Sequence, residues 1–239
     1  MEGVTGNAPM LEIGAGTGSL TLALLQEGAN LTAIEIDPDL VNLLRSREDL
    51  SRAQILAADA LTFDYRTWSQ GRLWHAAGNL PYNVATAVML RLIEMDHGPG
   101  SLTVMVQKDV AERLVAAPGS AAYGSLSVAV QYAMRAEPGL TLSPGSFFPA
   151  PKVESRVVRL VHRSVPAVAV RDLTMFWKVV RGAFAYRRKT LANTLALALD
   201  IDRAKIARAL ESSNLSAELR GERLDLGDFA RLADALAKE

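Results

Sequence analysis

Four short runs of this chain combine residue types and spacings that suit chemistry. The first, Glu12-Ile13-Gly14-Ala15-Gly16-Thr17-Gly18, follows an apolar run and leads into a helical pattern at Ser19. Glycines in such a turn let the backbone bend tightly and let a ligand approach the main chain with no Cβ in the way. Glu35 stands 17 residues beyond Gly18, where a carboxylate can accept hydrogen bonds from both hydroxyls of a ribose. The third run, Ala57-Ala58-Asp59-Ala60, brings a second carboxylate to the same edge. The fourth run is Gly78-Asn79-Leu80-Pro81-Tyr82-Asn83.

That fourth run can handle an aromatic amine. The exocyclic amine of adenine is a poor nucleophile because its lone pair is delocalised into the ring. A site that uses it must position it and favour a tetrahedral nitrogen. The Asn79 side-chain oxygen and the Leu80 backbone carbonyl can both accept hydrogen bonds from such an amine. Pro81 fixes the chain direction, and Tyr82 offers a flat face on which a base can stack. Read singly, the glycine run is also a plain structural turn, and Asn79 to Tyr82 a turn after a buried strand. Read in order along one chain, they favour a nucleoside-bearing cofactor beside a base. The G-x-G-x-G spacing differs from the G-x-G-x-x-G dinucleotide fingerprint, which seats a pyrophosphate. It resembles the S-adenosylmethionine motif of class I methyltransferases.

The elements that must hold these runs alternate. Met10–Ile13, Leu31–Ile36, Gln54–Ala58, Leu73–Ala77 and Leu102–Val106 read as strands, several without polar alternation, as strands buried on both faces do. Helical spacing lies between them at Leu20–Gln26, Pro38–Arg47, Val84–Glu94 and Asp109–Val115. The expected fold is α/β, a Rossmann-like, mostly parallel sheet. The late β-branched run Val153–Val161 supplies an antiparallel edge strand. After a linker at Ser164–Val170, helices are expected at Asp172–Tyr186, Thr190–Leu199, Arg203–Glu211 and Asp228–Ala237, the last with Gly227 just before it. The expected division is a cofactor-binding domain over 1–165 and a small helical domain over 166–239.

Composition bounds the function. The 239 residues include 49% hydrophobic and 22% charged, enough for a packed core. With no cysteine, disulfides, thiolate metal sites and a cysteine nucleophile are excluded. His75, His97 and His162 lack metal-ligand spacing, so no metal is expected. No apolar run is long enough to span a membrane and no signal peptide is visible, so the expected location is the cytoplasm. Formal charge is zero, yet it is unevenly spread. Residues 1–64 carry three basic against ten acidic residues, and residues 152–209 carry thirteen basic against four acidic. The basic stretch is the footprint expected of a phosphate-binding face, or equally a solvated helix surface.

Taken together, Leu11–Thr21, Ala33–Leu40, Gly78–Asn83, Val106–Leu114, Tyr123–Ser127, Phe147–Val158, Phe184–Asn193 and Arg220–Leu224 closely resemble the ribosomal RNA adenine dimethyltransferase family, in particular its small-subunit (16S-type) branch. The resemblance runs nearly end to end. It implies a class I methyltransferase sheet with a small C-terminal helical domain. It implies S-adenosyl-L-methionine as cofactor and dimethylation of N6 on two adjacent adenosines in a 3′-terminal hairpin of 16S rRNA, as part of small-subunit maturation. The cofactor would be held by Glu12, Gly14, Gly16, Gly18, Glu35, Ile36, Asp59, Ala60 and Asn79, with Glu35 on the ribose and Asp59 on the adenine. Asn79, Leu80, Pro81 and Tyr82 would hold the target amine and base. Phe147, in an F-x-P-x-P pattern with Pro149 and Pro151, would pack opposite Tyr82. Lys152, Arg156, Arg187, Arg188 and Lys189 would grip RNA of the 30S subunit, the chain acting as a monomer without metal or membrane. The family normally begins with a further segment bearing a G-Q-N-F-type motif, so this sequence is expected to be shortened at its start.

Other readings stay open at this point. One is the large-subunit (23S) adenine N6-methyltransferase branch. Another is a mainly non-catalytic small-subunit assembly factor. A nicotinamide-dependent dehydrogenase is a third, disfavoured by the glycine spacing.

Overall fold

Apolar runs without alternation become buried strands. The computed structural model of the protein describes residues 8–81, 83–147, 152–186 and 188–237. Strand β1 (Pro9–Ile13) is buried at every position, and β2 (Asn30–Glu35) at all but its first. With β3 (Gln54–Ala57), β4 (His75–Asn79), β5 (Ser101–Gln107), β6 (Met134–Leu142) and β7 (Ser155–His162), they form a seven-stranded sheet among the described residues, in the order β3-β2-β1-β4-β5-β7-β6. The first five strands are parallel, so their carboxyl ends share one edge. Chain order reverses between β1 and β4. That is the switch point where ligands bind in open α/β sheets, because the connecting segments diverge to opposite faces and leave a crevice.

Helices α1 (Ser19–Gln26), α2 (Pro38–Ser46), α3 (Tyr65–Ser69), α4 (Ala85–Glu94) and α5 (Lys108–Leu114) follow successive parallel strands. Leu25 and Leu44 pack with Met10, Leu31, Ala33 and Leu50 in one core cluster, which fixes where the strand-end turns emerge. Asp37 caps α2, accepting from the amides of Asp39 (2.9 Å) and Leu40 (3.4 Å), with Pro38 in the first turn.

Sequence and structure differ in several places. The fourth strand runs over His75–Asn79, not Leu73–Ala77. Strand β7 is antiparallel to β5 as expected, yet it lies inside the sheet, and the edge belongs to β6. β6 escaped the sequence reading because it contains Glu137-Pro138-Gly139; proline is tolerated on an edge strand, whose outer amides face no partner.

The chain divides into two compact units, each built from separate segments. One joins the residues up to Ala111 with Arg135–His162, and the other joins Glu112–Met134 with the residues from Arg163 onward. A continuous division at residue 165 therefore differs from these units in the placement of 112–134. That stretch carries α6 (Ser125–Ala133), buried at seven of nine positions, so it shows no polar face to announce a helix. Within the second unit α6 accompanies α7 (Leu173–Phe184), α8 (Leu191–Leu199), α9 (Arg203–Ser212) and α10 (Leu226–Leu236). Tyr132 meets Phe176 and Trp177 at ring-centroid distances of 4.9 and 5.3 Å, and Gly119 N–H donates to Glu222 O at 2.7 Å. No helix among the described residues is long and apolar enough to cross a membrane.

Helix α10 begins before Gly227, not after it. Asp225 accepts from Asp228 N–H at 2.8 Å while the Asp228 carboxylate accepts from Asp225 N–H at 3.0 Å, a reciprocal cap that starts the helix at Leu226. Asp225→Ala is expected to cost about 1 kcal/mol of stability, read as a lower denaturant midpoint with unchanged slope. An unmoved midpoint would show that the cap contributes nothing.

Candidate active site

At the switch point the glycine turn and the Asn79 turn lie side by side. A Cβ placed on Gly14 would sit 3.8 Å from Pro81 Cδ and 3.9 Å from the Asn79 carbonyl oxygen. The approach is close because Gly78 has no side chain; a Cβ there would come 2.5 Å from the Ile13 carbonyl oxygen. The turn itself hangs from β2, with the amides of Gly14 and Ala15 donating to Ile34 O at 2.9 and 3.3 Å. At Gly18 φ is +88°, and a Cβ would fall 2.7 Å from Leu50 Cδ1 and 2.8 Å from Leu44 Cδ2. Around Gly16, by contrast, nothing lies within 4 Å of a Cβ position, so this side of the turn is open.

The carboxylates do different work. Glu35, only 7% exposed, accepts three backbone N–H bonds: Gly16 to Oε2 at 2.9 Å, and Ile36 and Asp37 to Oε1 at 2.8 and 3.1 Å. It organises the glycine turn and its own strand end together. A carboxylate has roughly four lone-pair sites, so capacity for a further donor remains. Glu12, in register between Ala33 and Ala77, is 1% exposed, and its Oε2 and the neighbouring Thr21 hydroxyl are buried with no hydrogen-bond partner of normal geometry among the described residues. Burial pushes the Glu12 carboxyl up to about 7, with nearby Thr21 opposing and the Glu35 charge adding to the rise. Asp59 folds its own loop: Oδ1 accepts from Leu61 N–H at 2.8 Å, and its carbonyl accepts from Thr62 and Phe63 at 3.0 and 2.8 Å. Ile36 is 66% exposed beside Glu35, an apolar surface at the edge of the crevice. Ala60 follows Asp59 and is half-buried.

Asn79 is the exposed last residue of β4, while Leu80 is buried and bonded through its amide to Met105 O at 3.3 Å. The Pro81 carbonyl accepts from Val84 and Ala85 and so starts α4. Tyr82 lies outside the described residues, as do Pro149, Pro151 and Arg187. Phe147 is half-buried at the end of a short 3₁₀ turn and makes no ring contact among the described residues. Because β7 is antiparallel, with Ser155 opposite Gln107, the segment before it returns to the carboxyl edge. There Lys108 Nζ pairs with Glu154 at 2.8 Å, and Arg156 reaches Thr141 at 3.2 Å, with exposed Lys152 nearby in sequence. Arg188 and Lys189 belong to the second unit, where both are exposed between α7 and α8. No group of three or more candidate ligands among the described residues could hold a metal ion.

Two arginines escaped the sequence reading. Arg47 grips Asp49 with Nε and Nη2 (3.0 and 2.6 Å) and donates from Nη1 to Thr17 O at 2.7 Å, bracing the glycine turn from outside. Arg91 does the same for the Asp59 loop, donating to Ala60 O and Phe63 O. Both act on backbone carbonyls across loops, and no local motif encodes such contacts.

Comparison with known proteins fits this geometry. The model of the family "Ribosomal RNA adenine dimethylase" matches residues 3–238. The chain is 40% identical over 227 residues to a ribosomal RNA small subunit methyltransferase A of Hahella chejuensis, covering 94% of this chain and 81% of that protein. The protein of the same name in Pseudomonas aeruginosa is 42% identical over 233 residues, covering 96% and 84%. A dimethyladenosine transferase of Plasmodium falciparum shares the fold, with a TM-score of 0.71 at 23% identity over 93% of this chain and 87% of that one. A crevice built from a glycine turn, two strand-end carboxylates and an Asn-Leu-Pro turn thus sits in a chain that belongs to the ribosomal RNA adenine dimethylase family.

Proposed function

We propose that the chain transfers methyl groups from S-adenosylmethionine to N6 of two adjacent adenosines in a 3′-terminal hairpin of 16S rRNA, in the cytoplasm, during maturation of the small subunit. The observation that carries this reading is the meeting, at the switch point, of a glycine turn open at Gly16 with the Asn79-Leu80-Pro81 turn. The name borne by its relatives, ribosomal RNA small subunit methyltransferase A, supports the small-subunit substrate over the large.

The residues present fit an adenosyl cofactor. The open side of Gly16 admits a ligand against the main chain, Glu35 has acceptor capacity for ribose hydroxyls, and exposed Ile36 offers an apolar face to a base. Asp59 presents its second carboxylate oxygen, without a hydrogen bond among the described residues, to an exocyclic amine. When bound, S-adenosylmethionine supplies a methyl group already activated on a sulfonium, so no side-chain nucleophile is required. The chain's own task is positioning. The Asn79 side-chain oxygen and the Leu80 carbonyl accept from the target amine and favour its tetrahedral form, with Tyr82 and Phe147 stacking the base. A base paired in a helix cannot reach this turn, so the target adenosine is looped or flipped out. Arg188 and Lys189, exposed and without an ion-pair partner among the described residues, hold phosphates in the second unit, and Lys152 and Arg156 do so in the first.

Incubation with labelled cofactor and unmethylated small subunits is expected to yield dimethyladenosine; label appearing only in large subunits would refute the reading. Asn79→Ala should lower kcat by about 10²–10³-fold, the weight of one acceptor acting in the transition state, with RNA affinity retained. Replacing Arg188 and Lys189 together by Ala should weaken RNA binding and reduce the salt slope of log Kd by about 1–2. An unchanged slope would remove them from the interface.

Glu12 gives a pH prediction. Its folded carboxyl titrates near 7 against an ordinary 4.5, so the native state holds its proton more tightly than the unfolded chain. Stability therefore declines as pH rises from 4.5 toward 7 and then levels. Glu12→Gln, uncharged throughout, is expected to flatten that decline and to raise the melting temperature at pH 8 relative to the parent. An identical pH profile for the two proteins would show that the buried carboxyl carries no such cost.

A further inference from the structure

The loop that begins at Asp59 is closed from within by Asp59 itself and clamped from behind by two side chains outside the sequence motifs. Arg91, half-buried on α4, donates from Nη1 to Ala60 O at 2.9 Å and from Nη2 to Phe63 O at 2.8 Å. Tyr65 donates its hydroxyl to the same Ala60 oxygen at 2.7 Å. The two donors also hold each other, the Arg91 guanidinium carbon lying 4.9 Å from the centroid of the Tyr65 ring. Tyr65 is anchored in turn, 2% exposed and stacked on fully buried Trp74 at 5.8 Å with an interplanar angle of 11°. Its phenol is pushed up to about 12, chiefly by burial, so it remains a donor at any working pH.

This clamp spans two parts of the site. Helix α4 starts on the Pro81 carbonyl, directly after the Asn79-Leu80-Pro81 turn, and two turns later presents Arg91 to the Asp59 loop. One rigid helix thus ties the turn proposed to hold the target amine to the loop proposed to read the cofactor's base. Arg91 holds the Ala60 and Phe63 carbonyls, while Asp59 Oδ1 accepts from Leu61 N–H and its second oxygen has no hydrogen bond among the described residues.

We infer that Arg91, with Tyr65, is a positioning residue that sets the base specificity of the cofactor site by fixing the Asp59-Ala60 loop against α4. The inference rests on the proposed function. A 6-amino purine donates a hydrogen bond to the Asp59 carboxylate, whereas a 6-oxo purine presents an acceptor to it and is repelled. That discrimination depends on the carboxylate being held still. Bidentate clamping of two carbonyls needs the planar fork of arginine; lysine can serve only one of them well.

The test compares the parent with Arg91→Leu and Arg91→Lys. Binding of S-adenosylhomocysteine and of S-inosylhomocysteine is measured by calorimetry, and hydrogen exchange of the Leu61, Thr62 and Phe63 amides is followed in the cofactor-free protein. Arg91→Leu is expected to weaken S-adenosylhomocysteine binding about ten-fold, the size of one lost charge-assisted bond, and to shrink its preference over the inosyl compound. The loop amides should exchange faster, and Arg91→Lys should fall between the two in every readout. A merely structural arginine would lower the melting temperature and leave the adenosyl-to-inosyl ratio and the loop amides as in the parent, and that result overturns the inference. If Arg91→Leu does not fold, the ratio and the amides of Arg91→Lys decide the matter in the same way. A parent protein that binds neither compound defeats the proposed function and this inference with it.

Discussion

One buried carboxylate sets the geometry on which the candidate site depends. Glu35 gathers N–H groups from two turns that emerge from adjacent strands, and its bond to Gly16 spans 19 residues of sequence. Without an acceptor there, three part-buried amides would lose their protein partner and the two turns would no longer share an anchor. With it, the glycine turn is drawn toward β2 and its far side faces the crevice. The Ile34 carbonyl completes the same anchoring one residue earlier by accepting from Gly14 and Ala15. Glu12 lies close by, and burial pushes its carboxyl up to about 7, which below that pH spares the site a second buried negative charge beside Glu35.

How much of this was legible in sequence follows from how local each signal is. The strand and helix bearing the glycine turn are encoded in eighteen consecutive residues, and they form where expected. Asn79-Leu80-Pro81 likewise lies at the end of the fourth strand, although that strand runs two residues further than expected. The role seen for Glu35 was only half visible: its place at the end of β2 could be read, but its bonds run to backbone amides, which every residue possesses and no pattern marks. Arg47 and Arg91 were invisible for the same reason, since each meets carbonyl oxygens brought near by the fold. β6 was obscured by a proline that an edge position tolerates, and α6 by burial so complete that no polar face remained. The antiparallel strand was recognised, but its place inside the sheet depends on β6 and could not be read without it.

The two parts of the proposed chemistry also divide by charge. The carboxylates Glu12, Glu35 and Asp59 lie in the acidic first 64 residues, whereas the exposed basic pair Arg188 and Lys189 lies in the basic stretch. Not all of that basic excess faces solvent uncompensated. Arg159 pairs with Glu137 at 2.9 Å, Arg171 with Asp234 at 3.5 Å, and Arg163 donates to Met134 O at 3.0 Å. A count of positive residues therefore overstates the surface available to phosphates, whereas Arg188 and Lys189 are exposed and have no ion-pair partner among the described residues.

The position of β7 carries a consequence for synthesis. The five parallel strands are complete once Gln107 has left the ribosome, but the neighbour of β5 begins only at Ser155, after a segment that belongs to the other compact unit. During elongation at about 5–20 residues per second, the outer edge of β5 is open for a few seconds. That edge is an apolar strand with unpaired N–H and C=O groups, the kind of template on which chains associate wrongly. Neither unit can be closed by its own first segment, since each waits for residues on the far side of the other. The nascent protein thus passes through an interval in which its sheet is built but unsealed.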